Sequence, residues 1–141
     1  MNIWKDMALQ NPKDTPMCFA CGRDNTIGLK LDFHQEGESA KAEFIPGEPY
    51  QGWPGVVHGG LICTMLDEVM GYAAGFKGLY AVTVKTEVQY RKPAMIGQRL
   101  LLSGMVNSVN ERTVKCDGEI RLEDDTLIAE AHSELRIIRT D

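Results

Sequence analysis

Between residues 28 and 34 the sequence GLKLDFH sets Leu29, Leu31 and Phe33 against Lys30, Asp32 and His34, the two-residue period of a half-buried strand. AKAEF at 40–44 repeats that period after a turn at EGES. Four later segments follow the same rule. VTVKTEVQY (82–90) puts Val82, Val84, Val88 and Tyr90 on one face, and RLLLSGMVNSV (99–109), VKCDGEIRL (114–122) and AEAHSELRI (129–137) continue the series. Turns are predicted near Asn110 and Glu111 and at the Glu-Asp-Asp of 123–125. One stretch breaks the pattern. In PGVVHGGLICTMLDEVMGYAAGF (54–76), Leu61, Ile62, Met65, Leu66, Val69, Met70 and Ala73 recur at three- and four-residue spacing, which predicts a buried helix entered from a Pro- and Gly-rich loop at 46–55. The predicted order is two strands, one long helix and four strands, with no repeat and no low-complexity segment.

A lone helix that is apolar over much of its girth needs a sheet curled around it, so the expected fold class is α+β, an antiparallel sheet around one central helix. The 141 residues make one domain, with 1–17 as an N-terminal extension. A single sheet leaves edges exposed, and association of copies through an edge strand is expected.

Composition narrows the function. With 43% hydrophobic and 25% charged residues the chain reads as a soluble globular domain, and its net charge of −5 argues against wholesale binding to nucleic acid or to an anionic membrane. An anionic ligand would have to be met by a local basic patch. The opening MNIWKDMALQ lacks the apolar core of a signal peptide, and no apolar run reaches membrane-spanning length. A cytoplasmic location with the four cysteines reduced is the expectation.

Two carboxylates, Asp67 and Glu68, fall inside the apolar helix, and His58-Gly59-Gly60 opens it. Acidic residues are seldom buried unless paired or used. The run G-W-P-G-V-V-H-G-G, with an aspartate nine residues after the histidine, followed by AVTVKTEVQYRKPAMIGQ (81–98), resembles the hotdog-fold acyl-CoA thioesterases, and is most similar to their PaaI-like and THEM4-like branch. The resemblance covers about residues 18–138 and implies a hotdog fold.

By position, the resemblance implies that Asp67 is the general base or nucleophile, and that His58, Gly59 and Gly60 form the helix-start motif, with the Gly60 N–H polarising the thioester carbonyl. It also makes Thr83 the hydroxyl that orients the attacking water. Some relatives carry an asparagine about six residues before the histidine; here Gly52 stands there, with Gln51 beside it as a substitute. Each role is chemically sensible. N–H groups at a helix start stabilise an oxyanion, glycine lets the backbone approach a ligand, and a carboxylate among apolar side chains is a stronger base through desolvation. Gly60 and Asp67 lie about 10 Å apart along a helix axis, too far for one carbonyl to meet both. Two antiparallel helices across a two-fold would solve this, so a homodimer, or a tetramer of such dimers, is implied.

Plainer readings accompany each residue. His58 also suits a capping or core histidine, and Thr83 falls by alternation with Lys85, Glu87 and Gln89, off the apolar face. Glu68 lies about 100° around the helix from Asp67 and reads as a cation's partner or a polar edge. Gln51, Val57, Arg91 and Lys92 are candidate substrate contacts, the last two for a CoA phosphate, although an ordinary solvated strand end looks the same. Cys18-x-x-Cys21 invites a metal or redox reading. Structural zinc takes four ligands, however, and Cys63 falls in the helix, Cys116 on a core face, and only His34 offers a third ligand. No metal and no cofactor are expected, and the resemblance, whose members often begin with a similar C-x-x-C-G stretch, implies that the cysteines belong to an N-terminal turn packed beside the helix. The rival functions are a hotdog hydratase or dehydratase, which uses a catalytic histidine with a carboxylate, and a non-catalytic acyl-CoA binder.

Overall fold

The computed structural model describes residues 14–141. The thirteen before them, most of the expected N-terminal extension, lie outside the described residues. Six strands, β1 (His34–Glu36), β2 (Ser39–Phe44), β3 (Leu79–Tyr90), β4 (Leu100–Val109), β5 (Thr113–Arg121) and β6 (Leu127–Thr140), form one antiparallel sheet in the order β1-β2-β4-β5-β6-β3. One long helix, α1 (Gly59–Gly75), follows β2 through a 3-10 turn at Glu48–Tyr50 and packs on β2 to β6. This is the predicted order of elements and the expected architecture. No helix among the described residues is long and apolar enough to cross a membrane.

The first strand departs from the prediction. Residues 28–33 are not part of the sheet, because Lys30 turns to φ 55° and breaks the extended backbone. Their hydrogen bonds go elsewhere: Leu29 and Leu31 donate to the carbonyls of Phe19 and Ala20. Leu29 and Leu31 are still buried, so the alternation marked burial correctly while the pairing partner was a turn rather than a strand.

The core is the inner face of α1 against the concave sheet. Ile62, Met65, Leu66, Val69, Met70, Ala73 and Ala74 are buried on the helix, and Ala40, Ala42, Leu100, Leu102, Val114, Cys116, Ile120, Ala129, Ala131 and Leu135 meet them from the strands. Two glycines fix how closely the helix sits. Gly104 and Gly118 oppose each other across β4 and β5. A Cβ on Gly104 would lie 2.6 Å from the Val69 carbonyl oxygen, and one on Gly118 would lie 3.0 Å from Met70 Cγ. Backbone therefore rests almost on backbone, and no side chain fits between.

Gly104→Ala should force α1 off the sheet and lower the unfolding free energy by about 2 kcal/mol or more, read as a fall in urea midpoint. Gly75→Ala, whose added methyl meets no atom within 4 Å, should cost little.

Candidate active site

Asp67 projects from the side of α1 that the sheet leaves uncovered, and its Oδ1 accepts a hydrogen bond from Thr83 Oγ1 at 2.6 Å. Simple alternation does not put Thr83 on that face. A bulge does. Thr83 pairs with Leu135 and Lys85 with Glu134, so Val84 is an extra residue on β3. Ahead of it, Thr83 shares the inner face with Leu135. After it, Thr86, Val88 and Tyr90 share that face with Ser133, Ala131 and Ala129. Val82, opposite Arg136, thus does not share a face with Val88 and Tyr90, contrary to the even-numbered stripe predicted. The slip turns both Thr83 and Tyr90 toward the helix.

At the helix start, His58 is the N-cap, and its Nδ1 accepts the Gly60 N–H at 2.9 Å. The donor expected for a ligand is therefore held by its own cap. The Gly59 N–H, one residue earlier, meets no acceptor among the described residues, and Gly59 also lines a cleft. Tyr90 steadies this turn. Its hydroxyl donates to the Gly59 carbonyl at 2.7 Å and lies 2.9 Å from Cys63 Sγ. Burial and the contact with Cys63 push the Tyr90 hydroxyl up to about 12, so it remains a donor at neutral pH.

The candidate residues divide between two clefts. The first, about 840 Å³, gathers Gln51, Val57, His58, Gly59, Tyr90, Arg91 and Lys92. The second, about 640 Å³, holds Asp67 and Thr83 at its polar side, with Gly71, Gly75, Phe76, Leu79 and Leu135 among its apolar walls. The free helix-start donor and the carboxylate thus open into different clefts of one chain.

The candidate substrate contacts have partners of their own within the chain. Gln51 ties the loop together: one Nε2–H donates to the Glu48 carbonyl and its Oε1 accepts the Gly55 N–H, which leaves the second amide hydrogen as its donor for a water. Val57 is buried, and its N–H donates to the Ala94 carbonyl, which makes it a cleft wall of mainly structural character. Arg91 is paired, donating to Gln89 and, at 3.2 Å, to Glu130, while Lys92 stands exposed next to it.

Among the described residues no cation is ion-paired with Glu68. It sits against the N-terminal turn, where Cys18 Sγ donates to its Oε1 at 3.5 Å. Burial pushes the neighbouring Cys21 thiol up to about 12, with Glu68 adding to the effect and hydrogen bonds from Tyr72 and Thr15 opposing it. A thiol so far from ionising is a poor nucleophile, which argues against a redox role for this pair. Glu68 is fifty residues from Cys18, and no local pattern could have paired them.

The family model described as the thioesterase superfamily matches residues 54–129, more than half of the chain. The chain belongs to the thioesterase superfamily. The matched stretch contains His58, Gly59, Gly60, Asp67, Thr83, Arg91 and Lys92, while Gln51 and the paired cysteines fall outside it. Among curated relatives, the acyl-coenzyme A thioesterase THEM4 of Xenopus laevis is 32% identical over 85 residues, covering 60% of this chain and 38% of its own length. The chain thus spans well under half of that relative. A crystal structure of another thioesterase superfamily protein superposes with a TM-score of 0.83 at 26% identity, covering 92% of this chain and 68% of that one. The fold is also that of a Streptococcus mutans protein bound to acetyl-CoA (TM-score 0.74, 22% identity, 78% of this chain and 90% of that one). It is shared as well by the E. coli PaaI protein of the phenylacetic acid degradation operon (TM-score 0.74, 20% identity, 79% and 82%). The superfamily fold and the PaaI- and THEM4-like resemblance read from the motif are therefore both present.

Proposed function

We propose that this chain hydrolyses acyl-CoA thioesters, and that each site is completed by two copies of the chain. The observation that carries the reading is Asp67: an exposed carboxylate on a largely apolar helix, gripped by Thr83 at the polar side of an apolar cleft. The superfamily and the named activity of the THEM4 relative support the reaction class. The acetyl-CoA bound by the Streptococcus mutans protein supports the substrate class.

The chemistry follows from the positions. Thr83 occupies Oδ1 of Asp67, which leaves Oδ2 to take a proton from water. The water attacks the thioester carbonyl, and the Gly59 N–H at the helix start receives the developing oxyanion. The tetrahedral intermediate then collapses and expels the CoA thiolate, which is the better leaving group. The acyl chain lies in the apolar cleft beside Gly71, Gly75 and Phe76, and Lys92, exposed beside the paired Arg91, meets the CoA phosphates at the mouth of the other cleft.

Gly59 and Asp67 are eight residues apart, about 12 Å along the axis, so one carbonyl cannot touch both within a chain. β3 supplies the means of joining two. It is twelve residues long, it is paired on one side only among the described residues, and residues 83–87 are exposed on both faces. An edge of that length invites pairing with a second copy. Antiparallel pairing of two β3 edges would set two α1 helices antiparallel, with Gly59 of one chain facing Asp67 of the other. A homodimer is the active unit, and the cytoplasm, where CoA esters and reduced thiols coexist, is its location.

A hydratase or dehydratase reading fits less well. His58 uses Nδ1 on the Gly60 N–H, and Asp67 is paired with a threonine rather than with that imidazole. A non-catalytic binder would release no thiol at all.

Thiol release from a panel of acyl-CoAs of different chain length, with one aryl-CoA, tests the activity and identifies the acyl group. Asp67→Asn should lower kcat by roughly 100-fold or more while substrate still binds, and Glu68→Gln should cost far less. The reverse order would remove Asp67 from the role of base. Thr83→Val should reduce kcat by about 10-fold through loss of a charge-assisted hydrogen bond, with Thr83→Ser recovering most of it. Equal losses in Val and Ser variants would mean that the hydroxyl does not act through Asp67.

A further inference from the structure

The paired cysteines remain without a role in the proposed reaction, and their surroundings are built too tightly for a surface turn. Gly22 N–H donates to the Cys18 carbonyl at 2.8 Å and Asp24 N–H to the Pro16 carbonyl at 2.9 Å. A Cβ at Gly22 would lie 2.5 Å from Cys18 N, Cys18 O and Pro16 O, so only glycine closes this turn. The Cys21 N–H points at Cys18 Sγ, 3.5 Å away, the kind of backbone-to-sulfur contact that stabilises a thiolate. Leu29 and Leu31, both in the core, anchor the turn through the Phe19 and Ala20 carbonyls.

This rigid turn delivers both sulfurs to the side of α1. Cys18 Sγ, Cys21 Sγ and a Glu68 carboxylate oxygen all lie within 4.8 Å of one another, and all three residues are half-buried. Bond lengths of about 2.3 Å to sulfur and about 2.1 Å to oxygen place the two ligand atoms about 3.6 Å apart in a tetrahedral zinc site. The Cys18–Glu68 separation is 3.5 Å. Two further oxygen atoms border the cluster at Cys21: Thr15 Oγ1, 3.7 Å from its Sγ, and the hydroxyl of Tyr72, which interacts with the same thiol.

We propose that Cys18, Cys21 and Glu68 bind one Zn²⁺ ion per chain, with a water held by Thr15 and Tyr72 as the fourth ligand. Two thiolates exclude magnesium and calcium, which take oxygen ligands, and the carboxylate favours zinc over the softer copper(I). Each thiol releases its proton to solvent as the metal binds, and the already ionised carboxylate donates the third electron pair, with no redox change. The site is a clamp rather than a reaction centre. It fastens the N-terminal turn to α1 one residue from Asp67, and Cys18, Cys21 and Glu68 share the cleft wall with Asp67 and Thr83. The third ligand that the sequence reading sought in His34 is supplied by Glu68.

The test is metal binding itself, independent of turnover. Protein stripped with a chelator under reducing conditions is titrated with Co²⁺, whose thiolate charge-transfer and tetrahedral d–d bands report the ligand set, and then with Zn²⁺ in competition. The wild type should saturate at one ion per chain, and its melting temperature should rise on zinc addition. Cys18→Ser with Cys21→Ser should abolish the bands. Glu68→Gln should weaken binding at least 10-fold, since loss even of an outer-shell partner costs that much. His34→Ala should leave the titration unchanged. No stoichiometric uptake by the folded wild type would overturn the proposal whatever the variants do. So would a Glu68→Gln titration identical to the wild type, or a disulfide that survives the reductant.

Discussion

The seat of α1 on the sheet is the constraint from which the rest of the structure follows. Gly104 and Gly118 face each other across two strands and leave a flat spot in an otherwise side-chain-covered surface. The helix backbone settles there at Val69 and Met70, close enough that the sheet can curl around only one side of it. The opposite side, with Asp67, is left uncovered beside the edge strand β3. A helix standing further off would bury less of Met65, Leu66 and Met70 and would carry Asp67 out of reach of Thr83.

That geometry yields half-sites. Within one chain the helix start and its free Gly59 N–H look into one cleft, and the Asp67–Thr83 pair looks into another. The bulge at Val84 is what turns Thr83 and Tyr90 to the same side of β3, so that one strand braces the carboxylate near its middle and the helix start at its end. Tyr90 and His58 together leave the first turn of α1 little freedom. Its peptide groups are held by side chains on either side, which is the preorganisation that an oxyanion site requires.

The periodicity of the sequence carried most of the fold. β2, β4, β5, β6 and α1 follow their apolar patterns because each buries one face against the same core. What periodicity could not carry was any feature made by a hydrogen bond between distant segments. The segment 28–33 has the burial of a strand, but its backbone partners are in the N-terminal turn, and Lys30 breaks the extension. The bulge leaves no glycine or proline at 83–85 to mark it, so the face of Thr83 was read one position out of register. The motif H-G-G identified the helix start, yet which of the two glycines has a free N–H depends on where the His58 ring turns. Glu68 was legible as an acidic residue on an apolar helix and illegible as a neighbour of thiols.

The composite site is the central claim, and its most direct test is complementation. Gly59→Pro removes the helix-start N–H at the first helical position. His58 already has φ −57° and ψ 130°, the extended backbone that a residue before proline adopts. A Cβ at Gly59 would meet the Tyr90 ring at an ordinary 3.7 Å. Asp67→Ala removes the base. Each variant, shown to fold and to dimerise, should be nearly inactive alone. Unfolded together in equal amounts and refolded, half of the dimers should be mixed, each with one intact site and one empty of both groups, so about a quarter of wild-type activity should return. No recovery on mixing would mean that both groups act within one chain, and would contradict the shared site.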